Sequence, residues 1–142
     1  MKENKIFKTK KELNEFEKKR YKEAIKIAFS VIADEYVKRP TTVTLECNVL
    51  QKGSYLYIQP RNYYVFKENR PNIGFSKNTL AVKFLGGEWK TIYDYTEKYD
   101  LAKFKKEFKE TFKTIFLAYF TEILPEEDED GMLETAEKLL NR

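Results

Sequence analysis

The spacing of hydrophobic residues changes twice along this chain, from helical to alternating and back to helical. Between Lys10 and Val37 the apolar side chains recur every three or four residues: Leu13, Phe16, Tyr21, Ile25, Ala28, Ile32 and Tyr36. This period places them on one stripe of an α-helix. The pattern therefore predicts a long amphipathic helix, which Arg39-Pro40 ends because proline disfavours helix in the residue before it. Residues 1–9 precede the stripe and are expected to fray.

The middle of the chain, residues 41 to 95, has the two-residue period of β-strands. Val43, Leu45, Cys47 and Val49 alternate with polar residues, as in a half-buried strand. Further strand-forming runs are separated by turn residues: Tyr55–Ile58, Tyr63–Phe66, Ile73–Phe75, Leu80–Phe84 and Trp89–Tyr95. Gly86-Gly87 between two of these runs is typical of a tight hairpin turn. This region is predicted to form an antiparallel meander of about five strands.

Helical spacing returns at Asp100. Leu101, Phe104, Phe108, Ile115, Tyr119 and Ile123 form a stripe that Phe112, Phe116 and Phe120 widen. Pro125 stops this helix, an acidic loop occupies 125–131, and a short terminal helix runs from Met132 to Leu140. The chain is therefore predicted to be a single α+β domain over 1–142, with the helices on one face of the sheet.

Composition excludes several kinds of catalytic and metal site. The chain has no histidine and one cysteine, so a Ser-His-Asp arrangement, a Cys-His pair and a Cys/His zinc site are impossible. A lone cysteine cannot form an internal disulfide, which favours a reducing, cytoplasmic setting. No stretch approaches the roughly 20 apolar residues of a membrane span. We expect a binding protein that is not an enzyme, with no cofactor, no metal, no small-molecule substrate and no membrane partner.

The tyrosines of the meander form one candidate site. Tyr55 and Tyr57 point opposite to Leu56 and Ile58, so they face outward if the latter pair is core. Together with neighbouring cations they would form a surface that stacks bases and meets phosphates: Tyr55, Tyr57, Arg61, Tyr63, Lys67, Lys83 and Lys90. The competing interpretation is that tyrosine simply favours strands and half-buried faces. Which of the two applies depends on the face that the helices cover. Trp89 is expected in the core or as an anchor at its rim.

The acidic segment after Pro125 forms the second candidate site: Glu126, Glu127, Asp128, Glu129 and Asp130. The stretch from Glu126 to Glu137 matches several positions of a calcium-binding EF-hand loop, but its first position is Glu and no second loop is present to pair with it. Acidic residues also favour the start of the following helix through its dipole. In a third interpretation the segment mimics phosphates and docks on a basic site of another protein.

A third pattern, Glu88-Trp89-Lys90, resembles the Glu-x-Lys pair of many metal-dependent nucleases. Those enzymes also need an upstream aspartate, and no aspartate lies between Asp34 and Asp94. Only Glu46 or Glu68 could take its place, so the pattern is a remote alternative.

These features favour a protein partner over nucleic acid. The net charge is +4 and the sequence has only five arginines, which is modest for a dedicated nucleic-acid binder because arginine dominates phosphate and base recognition. Small lysine-rich domains of this kind are common among accessory proteins of phages and mobile elements. We therefore expect a protein that docks on, and inhibits, a nucleic-acid-handling host or defence complex. The alternative is a nucleic-acid-binding domain that uses the tyrosine- and lysine-bearing sheet.

Overall fold

The fold is a five-stranded antiparallel sheet with three helices. The structure is a computed structural model and describes residues 9–38, 47–53, 55–60, 71–84, 87–96, 98–120 and 131–141. The helices are α1 (Lys10–Lys38), α2 (Leu101–Phe120) and α3 (Met132–Leu140). The strands are β1 (Cys47–Lys52), β2 (Tyr55–Pro60), β3 (Pro71–Phe75), β4 (Thr79–Phe84) and β5 (Lys90–Asp94). The α+β architecture predicted from the hydrophobic pattern is confirmed.

The strands follow one another across the sheet in chain order, β1-β2-β3-β4-β5, and every neighbouring pair is antiparallel. This is the meander that the alternating pattern predicts. Gly53, with φ +60°, lies in the turn between β1 and β2, a conformation that glycine adopts without steric cost. The pairing of β4 with β5 shifts register between Leu80 and Ala81, so a bulge lies at this end of the sheet. The predicted run Tyr63–Phe66 lies outside the described residues.

One face of the sheet carries the core. Its buried side chains come from alternate positions of the central strands: Leu56, Ile58, Ile73, Phe75, Leu80 and Val82. Phe75 contacts Phe108 and Phe112 of α2, with ring centroids 5.5 and 6.2 Å apart, and Tyr21 of α1 at 6.2 Å. Helices α1 and α2 therefore cover this face, as predicted. Four phenylalanines of α2 are fully buried: Phe104, Phe108, Phe112 and Phe116.

A buried arginine joins α1 to the loops at one end of the sheet. Arg20 is 1% exposed and donates hydrogen bonds to the carbonyl oxygens of Lys77 (3.0 Å), Tyr95 (2.6 Å) and Lys98 (3.3 Å). A further bond of 2.7 Å reaches the side-chain oxygen of Asn78. Its guanidinium lies near three rings, those of Phe16, Tyr95 and Phe104, at 5.5, 5.2 and 6.0 Å from their centroids. Burial lowers the pKa of Arg20, but the guanidinium stays charged because its intrinsic pKa is so high.

Two tyrosines strengthen the same end of the molecule. The Tyr95 hydroxyl donates to the carbonyl oxygens of Ser76 and Thr79, and burial raises the pKa of Tyr95. The Tyr93 hydroxyl donates to Glu107 of α2 at 2.6 Å. Burial raises the pKa of Tyr93, and this hydrogen bond raises it further.

A membrane-spanning helix would need a longer apolar run than any helix has in the described part of the chain.

Candidate functional site

The face of the sheet opposite the helices, which we call the open face, carries the predicted tyrosines. Because side chains alternate along a strand, the burial of Leu56 and Ile58 against the helices places Tyr55 and Tyr57 on the other side. The pairing then defines a line of residues across the open face, in which each is directly opposite the next: Leu50, Tyr57, Gly74, Ala81 and Thr91. Tyr55 and Tyr57 therefore face away from the helices, as the tyrosine site requires.

Three aromatic side chains, Tyr55, Tyr57 and Trp89, form a row on this face that we call the open ring row. The Tyr55 and Tyr57 rings are 6.1 Å apart between centroids and inclined by 26°. Tyr57 and Trp89 follow at 5.6 Å and 46°. Tyr55 is 47% exposed and Trp89 is 43% exposed, while Tyr57 between them is half-buried. The row therefore presents aromatic surface to solvent and is held together by its own ring contacts.

A glycine positions the tryptophan. A Cβ atom added to Gly74 would lie 3.0 Å from both Cη2 and Cζ3 of Trp89 and 3.3 Å from Cδ1 of Tyr57. Trp89 precedes β5, so its indole reaches past β4 to lie against β3. It can do so because the two paired residues Gly74 and Ala81 are small. Gly74 and Ala81 therefore let the indole ring lie close to the sheet while it stays partly exposed.

Lysines lie at both ends of the open ring row. Lys52 is directly opposite Tyr55 in the pairing of β1 with β2. Lys83 shares the open face of β4 with Ala81, two residues away, and is directly opposite Asn72. Among the described strand positions of this face the acidic residue is Asp94, opposite Thr79 at the far corner. Its carboxylate accepts hydrogen bonds from the Thr96 hydroxyl and backbone N–H, which lower the pKa of Asp94.

The structure places three of the predicted site residues, Tyr55, Tyr57 and Lys83, on the same open face. It does not bring Lys90 to them, since Lys90 is directly opposite the core residue Val82. Lys90 instead lines a cleft of about 440 Å³ between the sheet and α3. Arg61, Tyr63 and Lys67 lie outside the described residues, as do the acidic residues Glu126, Glu127, Asp128, Glu129 and Asp130.

The cleft beside α3 contains the Glu-x-Lys pair of the nuclease alternative. Glu88 and Lys90 line it together with Tyr119 of α2 and Glu137 of α3. Burial, and to a lesser extent Glu137, raise the pKa of Tyr119. In the described ranges, no three side chains of the His, Cys, Asp or Glu type are grouped so that they could hold a metal ion. The described geometry thus adds no metal ligand set to the Glu-x-Lys pattern.

Three residues of the open face were not predicted from the sequence. Trp89 is expected in the core or at its rim, and Leu50 and Lys52 are not among the predicted site residues. Leu50 is 40% exposed and directly opposite Tyr57. The available signal was the pair of small residues, Gly74 and Ala81, inside strands: a glycine in a strand often marks a close approach by another group.

The chain was compared with protein-family models, curated proteins and solved structures, and none of them matches it.

Proposed function

We propose that the protein binds single-stranded nucleic acid through the open face of its sheet. The observation that supports this proposal is the open ring row, which exposes aromatic surface on the side of the sheet away from the helices. Proteins that hold single strands combine such rings, on which bases stack, with cations that follow the phosphates.

The chemistry of the surrounding positions suits this ligand. Lys52 and Lys83 stand at the two ends of the row, where they can neutralise phosphates and release counterions. Near Lys83 the face also carries small polar side chains, Asn72 on β3 and Thr91 on β5, that can donate and accept hydrogen bonds. Base stacking of this kind contributes about 1–3 kcal/mol per base and tolerates most sequences. The expected activity is therefore binding with little sequence discrimination.

The test is fluorescence anisotropy of labelled single-stranded and duplex DNA and RNA, titrated with the protein at several salt concentrations. We expect the single strands to bind more tightly, and Tyr55→Ala or Trp89→Ala to weaken binding by about 1–3 kcal/mol for each lost stack. The matched control is Phe29→Ala, because Phe29 of α1 is 46% exposed but lies on the helical layer. It should bind as the wild type does.

Salt dependence tests the cations separately. Each lysine that neutralises a phosphate of a single strand contributes about −0.7 to the slope of log Kobs against log salt. Lys83→Ala should reduce the slope by that amount, whereas Lys106→Ala, on the exposed side of α2, should leave it unchanged. Absence of binding at low salt, or equal losses in Phe29→Ala and Tyr55→Ala, would exclude the open face as a nucleic-acid site.

Docking on another protein is the second candidate function. Its support is that three of the four exposed large hydrophobic side chains in the described part of the chain, Leu50, Tyr55 and Trp89, share the open face. Tyrosine and tryptophan are also enriched among the residues that dominate binding energy at protein interfaces. Such a partner fits the expectation of an inhibitor or accessory protein of a phage or mobile element.

The two protein-docking surfaces can be separated by capture from a host lysate. Asp128→Asn, Glu129→Gln and Asp130→Asn, combined in one variant, remove charge from the acidic segment. Trp89→Ala alters the open face. Capture that depends on Trp89 assigns docking to the open face, and capture lost only with the acidic residues assigns it to that segment. Capture unaffected by either variant would exclude both surfaces.

A further inference from the structure

The spacing of the open ring row restricts the kind of strand that fits it. In a duplex, successive bases of one strand stack about 3.4 Å apart. The rings of Tyr55, Tyr57 and Trp89 are 6.1 and 5.6 Å apart. Bases that rest on successive rings are therefore too far apart to remain stacked on each other.

The row is also fixed in length and in place. Tyr55 and Tyr57 are both on strand β2. Trp89 is held by its ring contact with Tyr57 and by its close approach to Gly74. Directly opposite Tyr55, beyond the first ring, is Lys52. At the other end Lys83 follows Ala81 along β4. Three rings between two cations match three bases, with phosphates at either end.

From this geometry, and resting on the proposed function, we infer that the open face takes three unstacked bases of a pyrimidine-rich single strand, one on each ring. Purines stack more strongly on one another than pyrimidines do, and each base in a stack uses both of its faces. A base on a protein ring uses one face, so an oligoadenine strand loses more stacking than it gains. An oligothymine or oligouracil strand is nearly unstacked beforehand and loses little.

The emission of Trp89 provides a direct readout, because it is the only tryptophan in the chain. The experiment titrates the full chain with dT, U and dA oligonucleotides of two to eight residues and measures quenching of Trp89. We expect affinity to rise about tenfold from the dinucleotide to the trinucleotide, where the third ring is filled. From four to eight residues it should rise only about threefold, in proportion to the number of positions at which three consecutive bases fit along the strand. The dA series should bind more weakly than dT at every length.

One variant tests the assignment of one base to each ring. Tyr55→Ala removes the ring at the end of the row and leaves Trp89 and Tyr57 in contact. The steep rise should then end one nucleotide earlier, with affinity for the trinucleotide lowered about tenfold. Phe29→Ala is again the control and should leave both the length dependence and the affinity unchanged.

The outcomes separate this inference from the proposed function. Binding that grows steeply up to eight residues, or dA affinities equal to those of dT, would overturn the three-base arrangement and leave nucleic-acid binding in place. Absence of quenching and of any anisotropy change at low salt, for all three series, would overturn both. Comparison of the dT and U series also shows whether DNA or RNA is bound more tightly. The series with the higher affinity must show the tenfold rise at the trinucleotide.

Discussion

Two rows of aromatic rings with similar spacing lie on opposite sides of the sheet. In α2, Phe108, Phe112 and Phe116 are successive at 5.9 and 5.8 Å, with neighbouring planes inclined by 12°. In the open ring row the separations are 6.1 and 5.6 Å. The phenylalanines are fully buried, whereas Tyr55 and Trp89 are almost half exposed.

Ring spacing alone therefore does not indicate a binding platform. The buried row uses its ring surface on protein neighbours: Phe75 of the sheet contacts both Phe108 and Phe112 edge-on. Its role is to join α2 to the core, through apolar area removed from water. The open row has the sheet on one side and solvent on the other, so its exposed surface remains available to a ligand. The residue types agree with this division, since tyrosine and tryptophan tolerate a partly solvent-exposed position better than phenylalanine does.

The largest effect that separates the two rows is on stability. Phe108→Ala should lower the free energy of unfolding by about 3–5 kcal/mol, because it leaves a cavity at a site with no exposure. Tyr55→Ala should change it by about 0.5 kcal/mol or less, since the side chain is on the surface. Denaturant unfolding followed by circular dichroism measures both.

Phe108→Leu keeps this comparison measurable if Phe108→Ala does not fold. It should cost about 1–2 kcal/mol, still more than the loss of the exposed ring. Equal stability losses at Phe108 and Tyr55 would contradict the division into a buried and an open row.

The next largest effect concerns Arg20, which fixes the buried side. Arg20→Met keeps much of the volume but removes all four hydrogen bonds of the guanidinium. The Tyr95 carbonyl keeps the Lys98 N–H as a donor. Because hydrogen bonds from a charged group contribute about 1.5–3 kcal/mol each and only the one to Tyr95 is fully buried, we expect a total loss of about 3 kcal/mol in thermal or denaturant unfolding. Lys22→Met, an exposed position two residues away on the same helix, should have little effect. A neutral Arg20→Met would show that these hydrogen bonds add nothing to stability.

Periodicity predicted the architecture because burial is imposed on one side of each element. The limits of α1 and α3, the order helix, meander, helix, helix, and the outward direction of Tyr55 and Tyr57 all follow from spacing of three to four or of two residues. The burial of Arg20 does not follow: it lies on the buried stripe of α1 with Ala24, Ala28 and Val31, but it is charged, and its acceptors are carbonyls 57 to 78 residues away. Contacts of this kind depend on tertiary structure that no local pattern contains.

The site was predicted less completely than the fold, for two physical reasons. Lys90 was grouped with the tyrosines by nearness in sequence, but the register of β4 with β5 places it across from Val82. Register depends on pairing that a single strand does not specify. Trp89 was missed because its position depends on small residues in two other strands, Gly74 and Ala81. A glycine inside a strand has meaning only when the side chain that approaches it is known.

A small stability effect, and the most direct test of the open row, is expected from Gly74→Val. The new Cβ would lie 3.0 Å from two carbons of Trp89, so the indole must move away from the sheet. Because Trp89 is already 43% exposed and valine favours strands, the fold should change in stability by only about 1 kcal/mol. The emission of Trp89 in this variant should shift to the red, and the affinity for single strands should fall about as far as in Trp89→Ala. Ala102→Val, which places a valine at an exposed position of α2 away from the open face, is the control. Unchanged emission and binding in Gly74→Val would mean that the small residues do not position the ring, and the open row would then be a chance grouping of surface aromatics.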